Sequence, residues 1–388
     1  MISHRRPAGP EAVVGGSLEE TPQGPILVAR RRYPLHHRQG SIALGAALEA
    51  SPEVLRLLSR CPEASPPPDR LLYLDIETTG LAGGTGTYPF LVGAGFFEAG
   101  SFVVQQHFMR DLDEEPALLS ALHRFFPQFD GVVTYNGRAF DLSLLETRFI
   151  LARRSWPGLG WHLDLLPAAR RLWASRLTDC RLVTVEAHAL GVRREDDLAG
   201  FMIPAIYFEY LRRKSPALLP KLFAHNRQDI LSLVALAGWV SRVLREPERA
   251  PLSAEEYAGL GRLWEPWSPE RGRRCYRAAL ARGISGAERE QLLLRLADLA
   301  KRERLWSEAC ALWEAAITGA TGFRLRPWEE LAKYHEHRSR DLSAASLVVT
   351  EALRQAMVAH AYPGVLDGLT HRLTRLTRRL KAARLGTG

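Results

Sequence analysis

The run Leu71-Leu72-Tyr73-Leu74-Asp75-Ile76-Glu77 is apolar except for two carboxylates at alternate positions. A strand turns successive side chains to opposite faces. Leu72, Leu74 and Ile76 therefore share one face, and Tyr73, Asp75 and Glu77 the other. Two more apolar runs, 90–97 and 102–108, flank Glu98-Ala99-Gly100-Ser101 and predict a hairpin. Ala117, Leu118, Leu119, Leu122, Phe125 and Phe126 recur at helical spacing. Residues 131–135 predict another strand, Asn136-Gly137 a turn, and 141–151 a helix that faces Leu144, Leu145 and Phe149 inward. This succession predicts an α/β fold: a mixed sheet flanked by helices. Upstream, 25–30 predicts a strand. Residues 52–58 predict a short helix with Ser51 as its cap and Pro52 at its first position. Pro66-Pro67-Pro68 predicts a stiff linker, because proline fixes an extended backbone.

Beyond Pro251 the strand pattern stops and helical segments echo one another. Tyr276-Arg277-Ala278-Ala279-Leu280 is matched by Trp313-Glu314-Ala315-Ala316-Ile317, and more loosely by Thr350-Glu351-Ala352-Leu353. Leu299-Ala300-Lys301 recurs as Leu331-Ala332-Lys333. The spacing approaches the period of tetratricopeptide-type helical hairpins; an unrelated helical bundle fits the same pattern. The expected organisation is an N-terminal extension and Pro-rich linker over 1–69, an α/β domain over 70–247 and an all-α, TPR-like helical domain over 251–388.

The chain has 388 residues, room for two domains. Its four cysteines, Cys61, Cys180, Cys275 and Cys310, form no C-x-x-C pair, which argues against a zinc ribbon and for free thiols in a reducing compartment. No signal-like apolar core follows the first residues and no apolar run reaches membrane-spanning length, so a soluble, cytoplasmic protein without a membrane partner is expected. A formal net charge of +9 suits an anionic partner such as nucleic acid.

Asp75 and Glu77, side by side on one strand face, repel unless a cation lies between them. That suggests a hard divalent ion on oxygen ligands. Two downstream positions strengthen the reading. Asp141 opens a helix just past a strand; its simpler role is helix capping. In His225-Asn226-Arg227-Gln228-Asp229, a helix sets His225 and Asp229 on one face; the simpler role is a surface pair. In this order the segments resemble the three exonuclease motifs of the DEDD (DnaQ-like) superfamily. More closely, the chain resembles the YprB-type ribonuclease-H-like proteins. The likeness is carried by Thr78-Thr79-Gly80-Leu81 with Gly84-Thr85-Gly86-Thr87, by Asn136-Gly137 before Phe140-Asp141, by His162-Leu163-Asp164-Leu165-Leu166, and by His225-Asn226 before Asp229.

The resemblance implies a ribonuclease-H-like fold and a metal-dependent 3′–5′ exonuclease acting on single-stranded DNA or RNA. It implies two Mg²⁺ or Mn²⁺ ions held by Asp75, Glu77, Asp141 and Asp229, with Asp75 bridging. His225 would position or deprotonate the attacking water. Superfamily members divide by a tyrosine or a histidine before the last aspartate; here a histidine stands at the spacing usual for tyrosine, which favours orienting water over full base catalysis. Substrate contacts are implied at Thr78, Thr79, Gly80 and Asn136. The alternative is a catalytically silent nucleic-acid- or protein-binding scaffold of the same fold, and the helical domain suggests a protein partner. Secondary candidates carry two readings each. Asp164 is a fifth site carboxylate or a helix cap. The Gly83-Gly84-Thr85-Gly86-Thr87 loop meets a terminal nucleotide or is a plain turn. Arg181, Arg193 and Arg194 touch phosphates or are solvated. Tyr135 and Phe140 stack on bases or pack in the core. The basic C-terminal run with Leu369, Leu373, Leu376 and Leu380 binds nucleic acid or closes the helical array.

Overall fold

Seven strands form one mixed sheet: β1 (Gly16–Thr21), β2 (Gly24–Pro34), β3 (Leu71–Thr78), β4 (Pro89–Glu98), β5 (Ser101–Phe108), β6 (Gly131–Thr134) and β7 (Trp161–Asp164). The structure is a computed structural model that describes residues 9–61, 63–80 and 84–385. Leu81 and Gly83 of the quoted motifs, like residues 1–8, lie outside the described residues. The spatial order is β1-β2-β5-β4-β3-β6-β7. Neighbours from β1 to β3 run antiparallel, while β6 runs parallel to β3 and β7 parallel to β6. The β4–β5 turn is tight because Ala99 and Gly100 both take positive φ, 46° and 71°, which matches the right-handed twist of a hairpin.

The first 69 residues differ from the expected extension. β2 pairs with β5 from Leu27↔Phe108 to Pro34↔Ser101, so two of the seven strands come from this segment. The physical reason is β5 itself: its residues are almost all buried, and β2 covers what would otherwise be an unpaired edge. The prolines 66–68 run into a 3₁₀ turn, Pro68–Arg70, that leads directly into β3.

Helices cover both faces. In chain order they are α1 (Pro10–Val14), α2 (Pro52–Ser59), α3 (Glu115–Phe125), α4 (Asp141–Leu151), α5 (Leu166–Trp173), α6 (Leu182–Ala189), α7 (Ile203–Arg213) and α8 (Leu219–Arg245). Leu72, Leu74 and Ile76 of β3 join a core with Leu118 and Leu122 of α3 and Leu145 and Phe149 of α4. The opposite face receives α8. Register places Asp75 across from Gly93, and Gly93 across from Gln106, in one row over three strands. A Cβ on Gly93 would stand 2.1 Å from Asn226 Oδ1 and 2.5 Å from Ile230 Cδ1. Gly93 is thus the gap in the row that lets α8 come down onto the sheet.

Two compact units divide the chain, Met1–Leu252 and Ser253–Gly388. The second is a succession of helices: α9 (Ala254–Trp264), α10 (Pro269–Ala281), α11 (Gly286–Arg302), α12 (Trp306–Thr318), α13 (Leu325–His337), α14 (Leu342–Val358) and α15 (Pro363–Leu385). The echoing segments fall on alternate helices; the first two bury a large aromatic three positions before an alanine, Tyr276 with Ala279 and Trp313 with Ala316, whereas in the third the buried pair, Val349 and Ala352, starts one residue before the echo. On α15, Leu369 and Leu376 are buried, and Arg375 and Arg379 donate to the fully buried Glu336 carboxylate at 2.8 and 2.6 Å. These arginines fix α15 onto α13.

Gly93→Ala forces Asn226 or the strand to shift. Thermal denaturation is expected to show a loss on the order of 1–3 kcal/mol, the usual cost of overpacking. An unchanged melting temperature would contradict this account of how α8 sits.

Candidate metal centre

Period-two alternation turns Asp75 and Glu77 to the α8 face of β3. α8 answers with three residues on consecutive turns, His225, Asn226 and Asp229. Asn226, with no solvent exposure, donates from Nδ2 to Asp75 Oδ2 at 2.8 Å and to the Asp75 carbonyl at 3.2 Å. Its Oδ1 accepts from Gln106 Nε2 at 2.8 Å, and the same Nε2 donates to the Phe223 carbonyl at 2.9 Å. The amide orientation follows: a carboxylate only accepts, so the Asn226 NH₂ must face Asp75.

The ligand-capable atoms of Glu77, His225 and Asp229 lie within 4.8 Å of one another. His225 Nε2 stands 3.9 Å from Glu77 Oε1 and 3.7 Å from Asp229 Oδ2. No donor among the described residues reaches Glu77 Oε1, although the atom is buried. An ionised oxygen left that way costs free energy. Asp141 opens α4 and is 6 % exposed. Its carboxyl lies within electrostatic reach of those of Asp75, Glu77 and Asp229.

Mutual repulsion and burial appear as proton affinity. Burial first, then the charges of Asp229, Glu77 and Asp141, hold Asp75 well above the ordinary carboxylate range, with the Asn226 hydrogen bond opposing. Glu77 is raised in the same way by burial and by Asp229, Asp141 and Asp197, with Arg194 opposing. Asp141 is pushed up to about 7, mainly by burial, against hydrogen bonds from backbone N–H groups that include Ile76. A buried array of hard oxygens that repel one another, one of them orphaned, fits a divalent cation.

A second layer holds Asp229. Arg194, with a side chain 7 % exposed, donates to Asp229 Oδ1, to Asp197 Oδ2 at 3.0 Å, and through a two-pronged contact to the fully buried Glu186 on α6. Burial alone would lower the guanidinium pKa; the three carboxylates outweigh it and raise it. Asp197 Oδ1 in turn lies 2.8 Å from His225 Nδ1.

The other sequence candidates separate by what they touch. Thr78 Oγ1 donates to the Gly80 carbonyl at 2.7 Å, and Thr79 Oγ1 accepts from the Tyr88 N–H at 2.9 Å, so both hydroxyls shape the exit of β3. Asn136 takes φ 67° and donates its N–H to Asp164 Oδ1 at 2.8 Å. Asp164 also accepts from the Leu166 and Arg138 N–H groups at 3.0 and 3.3 Å, so it ties the turn at Asn136 to the start of α5. The Tyr135 hydroxyl donates to the Cys180 carbonyl. Arg181 pairs with Asp179. Arg194 is neither on the surface nor free for phosphate.

Sequence reading misses Gln106, Glu186, Asp197 and Arg148. Arg148, 4 % exposed, pairs with Glu115, stacks 3.9 Å from the Tyr88 ring centre and donates to the Thr85 carbonyl at 2.7 Å, anchoring the Gly84–Thr87 turn. The one available signal was Arg193-Arg194-Glu195-Asp196-Asp197, which as a mixed charge run looks like ordinary surface.

A family model described as RNase_H superfamily matches residues 72–241, which contain all of these side chains. The chain is also 32 % identical over 341 residues to "Uncharacterized protein YprB" of Bacillus subtilis (strain 168), an alignment covering 85 % of this chain and 81 % of that one. No described helix is long and apolar enough to cross a membrane.

Raised carboxyl pKa values set the sign of a pH effect. Below the unfolded carboxyl range, near pH 4, both states are protonated and nothing is lost. As pH rises towards 7 the unfolded chain ionises freely while the folded one resists, so metal-free stability falls through that window. Asp141→Asn is expected to stabilise chelator-treated protein at about pH 8 by on the order of 1–4 kcal/mol, read as a higher melting temperature. The gain should vanish below about pH 3, where the unfolded carboxyl is protonated too. A loss of stability at pH 8 would contradict the repulsion.

Proposed function

Because the chain belongs to the RNase_H superfamily, we propose that it is a metal-dependent nuclease of the DEDD type, a 3′–5′ exonuclease on single-stranded DNA or RNA. The observation that supports the reading is the buried, unpartnered Glu77 Oε1 beside His225 and Asp229, with the charges of Asp75 and Asp141 within electrostatic reach. Asp75, Glu77, Asp141 and Asp229 would hold two Mg²⁺ or Mn²⁺ ions. When bound, such cations supply an activated water and charge stabilisation for the oxygen that departs in an in-line displacement at phosphorus. Water adds to phosphorus, the bond from phosphorus to the 3′ oxygen breaks, and the water proton ends on the released 3′ hydroxyl.

The chain's own residues prepare this pocket in advance. Asn226 fixes one oxygen of Asp75 and leaves Oδ1 to the pocket. Arg194 takes Asp229 Oδ1 and leaves Oδ2. The turn from Thr78 to Gly80, and Asn136 at the mouth of α4, would receive the terminal nucleotide. The net charge of +9 draws a polyanion. The helical unit, a TPR-like array of hairpins on this reading, would bind a protein partner.

Full-length protein with Mn²⁺ or Mg²⁺ is expected to shorten 5′-labelled single strands from the 3′ end. Asp75→Asn should slow this by on the order of 10²–10³-fold, the cost typical of a lost electrostatic element, and chelator should abolish it. Retained binding without shortening under either cation would overturn the enzyme and return the scaffold.

A further inference from the structure

The geometry points to His225 as a direct metal ligand, and we propose that Glu77, His225 and Asp229 form a mixed imidazole–carboxylate site that prefers Mn²⁺ to Mg²⁺. This rests on the metal-dependent reading above and gives His225 a different part from the one the resemblance implies: it holds the ion rather than orienting or deprotonating the attacking water.

Four observations lead there. His225 Nδ1 lies 2.8 Å from Asp197 Oδ1. A carboxylate accepts only, so Nδ1 carries the hydrogen, and in the neutral ring that binds a cation the lone pair is on Nε2. Metal-bound histidines almost always donate their second nitrogen in this way. Second, Asp197 is itself immobilised. Arg194 Nη1 holds its Oδ2 at 3.0 Å and the Leu198 N–H holds its Oδ1 at 2.8 Å. The imidazole therefore cannot turn without breaking this network. Third, Nε2 faces two oxygens, Glu77 Oε1 at 3.9 Å and Asp229 Oδ2 at 3.7 Å. Both are too long for hydrogen bonds, and the three atoms, all within 4.8 Å of one another, are grouped as the ligands of one cation would be. Fourth, these are the atoms left over: Glu77 Oε1 has no donor among the described residues, and the other oxygen of Asp229 is taken by Arg194.

The donor set decides the metal. Mg²⁺ demands near-octahedral oxygen ligands and gives up water reluctantly, whereas Mn²⁺ accepts an imidazole with less loss. A nitrogen whose lone pair is committed to a cation has none for a proton. That explains why a histidine at the spacing usual for tyrosine need not serve as a base.

Pulsed EPR of the full-length, wild-type protein loaded with one equivalent of Mn²⁺ tests this without turnover. A ¹⁴N coupling of directly bound imidazole is expected, and His225→Ala should remove it. Asp197→Asn should weaken Mn²⁺ binding, read by titration of the free-ion signal, by roughly 10–100-fold, while Mg²⁺ competition changes far less. Bound Mn²⁺ without nitrogen coupling, or no Mn²⁺ binding, overturns the assignment. Because the wild-type spectrum alone can do so, a poorly folding variant does not shield it. Nitrogen coupling without cleavage of labelled strands would leave the ligand assignment standing and sink the nuclease. Cleavage without nitrogen coupling would do the reverse.

Discussion

Asn226 seated over Gly93 is the contact on which the rest of the first unit depends. The row Asp75, Gly93, Gln106 runs across three strands, and only its missing central side chain admits the amide of α8. Asn226 then spans the gap, taking a hydrogen bond from Gln106 on one side and giving one to Asp75 on the other. Buried amides are costly unless every polar atom is paired, so this arrangement tolerates little sliding of the helix. One residue before it and three after it, His225 and Asp229 inherit that placement. The site is therefore assembled by a steric vacancy and two hydrogen bonds rather than by attraction among its acids.

Those acids oppose assembly. The charges of Asp75, Glu77, Asp141 and Asp229 oppose one another where burial is hostile to charge, and the first three bind protons more tightly than carboxyls normally do. Arg194 supplies the positive charge nearest to hand, but it is spent on Glu186, Asp197 and Asp229 and leaves Glu77 Oε1 without a donor. The hydrophobic core behind β3 and the clamp of Gln106 and Asn226 hold the repelling groups in place. A protein that stores such repulsion gains strongly from a multivalent cation, because binding relieves burial and repulsion together.

Much of this was legible along the chain because it is local. Alternation in 71–77 set Asp75 and Glu77 on one face, and the helical spacing of His225 and Asp229 set them on another. Asp141 at a strand-to-helix junction needed only the turn signal of Asn136-Gly137. The supporting shell was not legible, because its partners are joined through space: Gln106 meets Asn226 from 120 residues away, and Arg194 meets Asp229 from 35. A guanidinium in a mixed charge run looks solvated until three carboxylates are found around it. The pairing of β2 with β5 was hidden for the same reason, since a strand's partner is fixed by register and burial rather than by its own composition. In the helical unit, by contrast, two alternate helices repeat a buried aromatic three positions before an alanine, Tyr276 with Ala279 and Trp313 with Ala316, and that echo is visible in the sequence alone.

Calorimetric titration of the metal-free protein with Mn²⁺ near pH 6.5, repeated in buffers of different ionisation enthalpy, tests the central claim most directly. If repelling carboxyls keep protons that a cation displaces, binding must release protons, and Asp141→Asn must reduce that release. Binding with no proton release, or heats that Asp75→Asn leaves unaltered, would contradict the account.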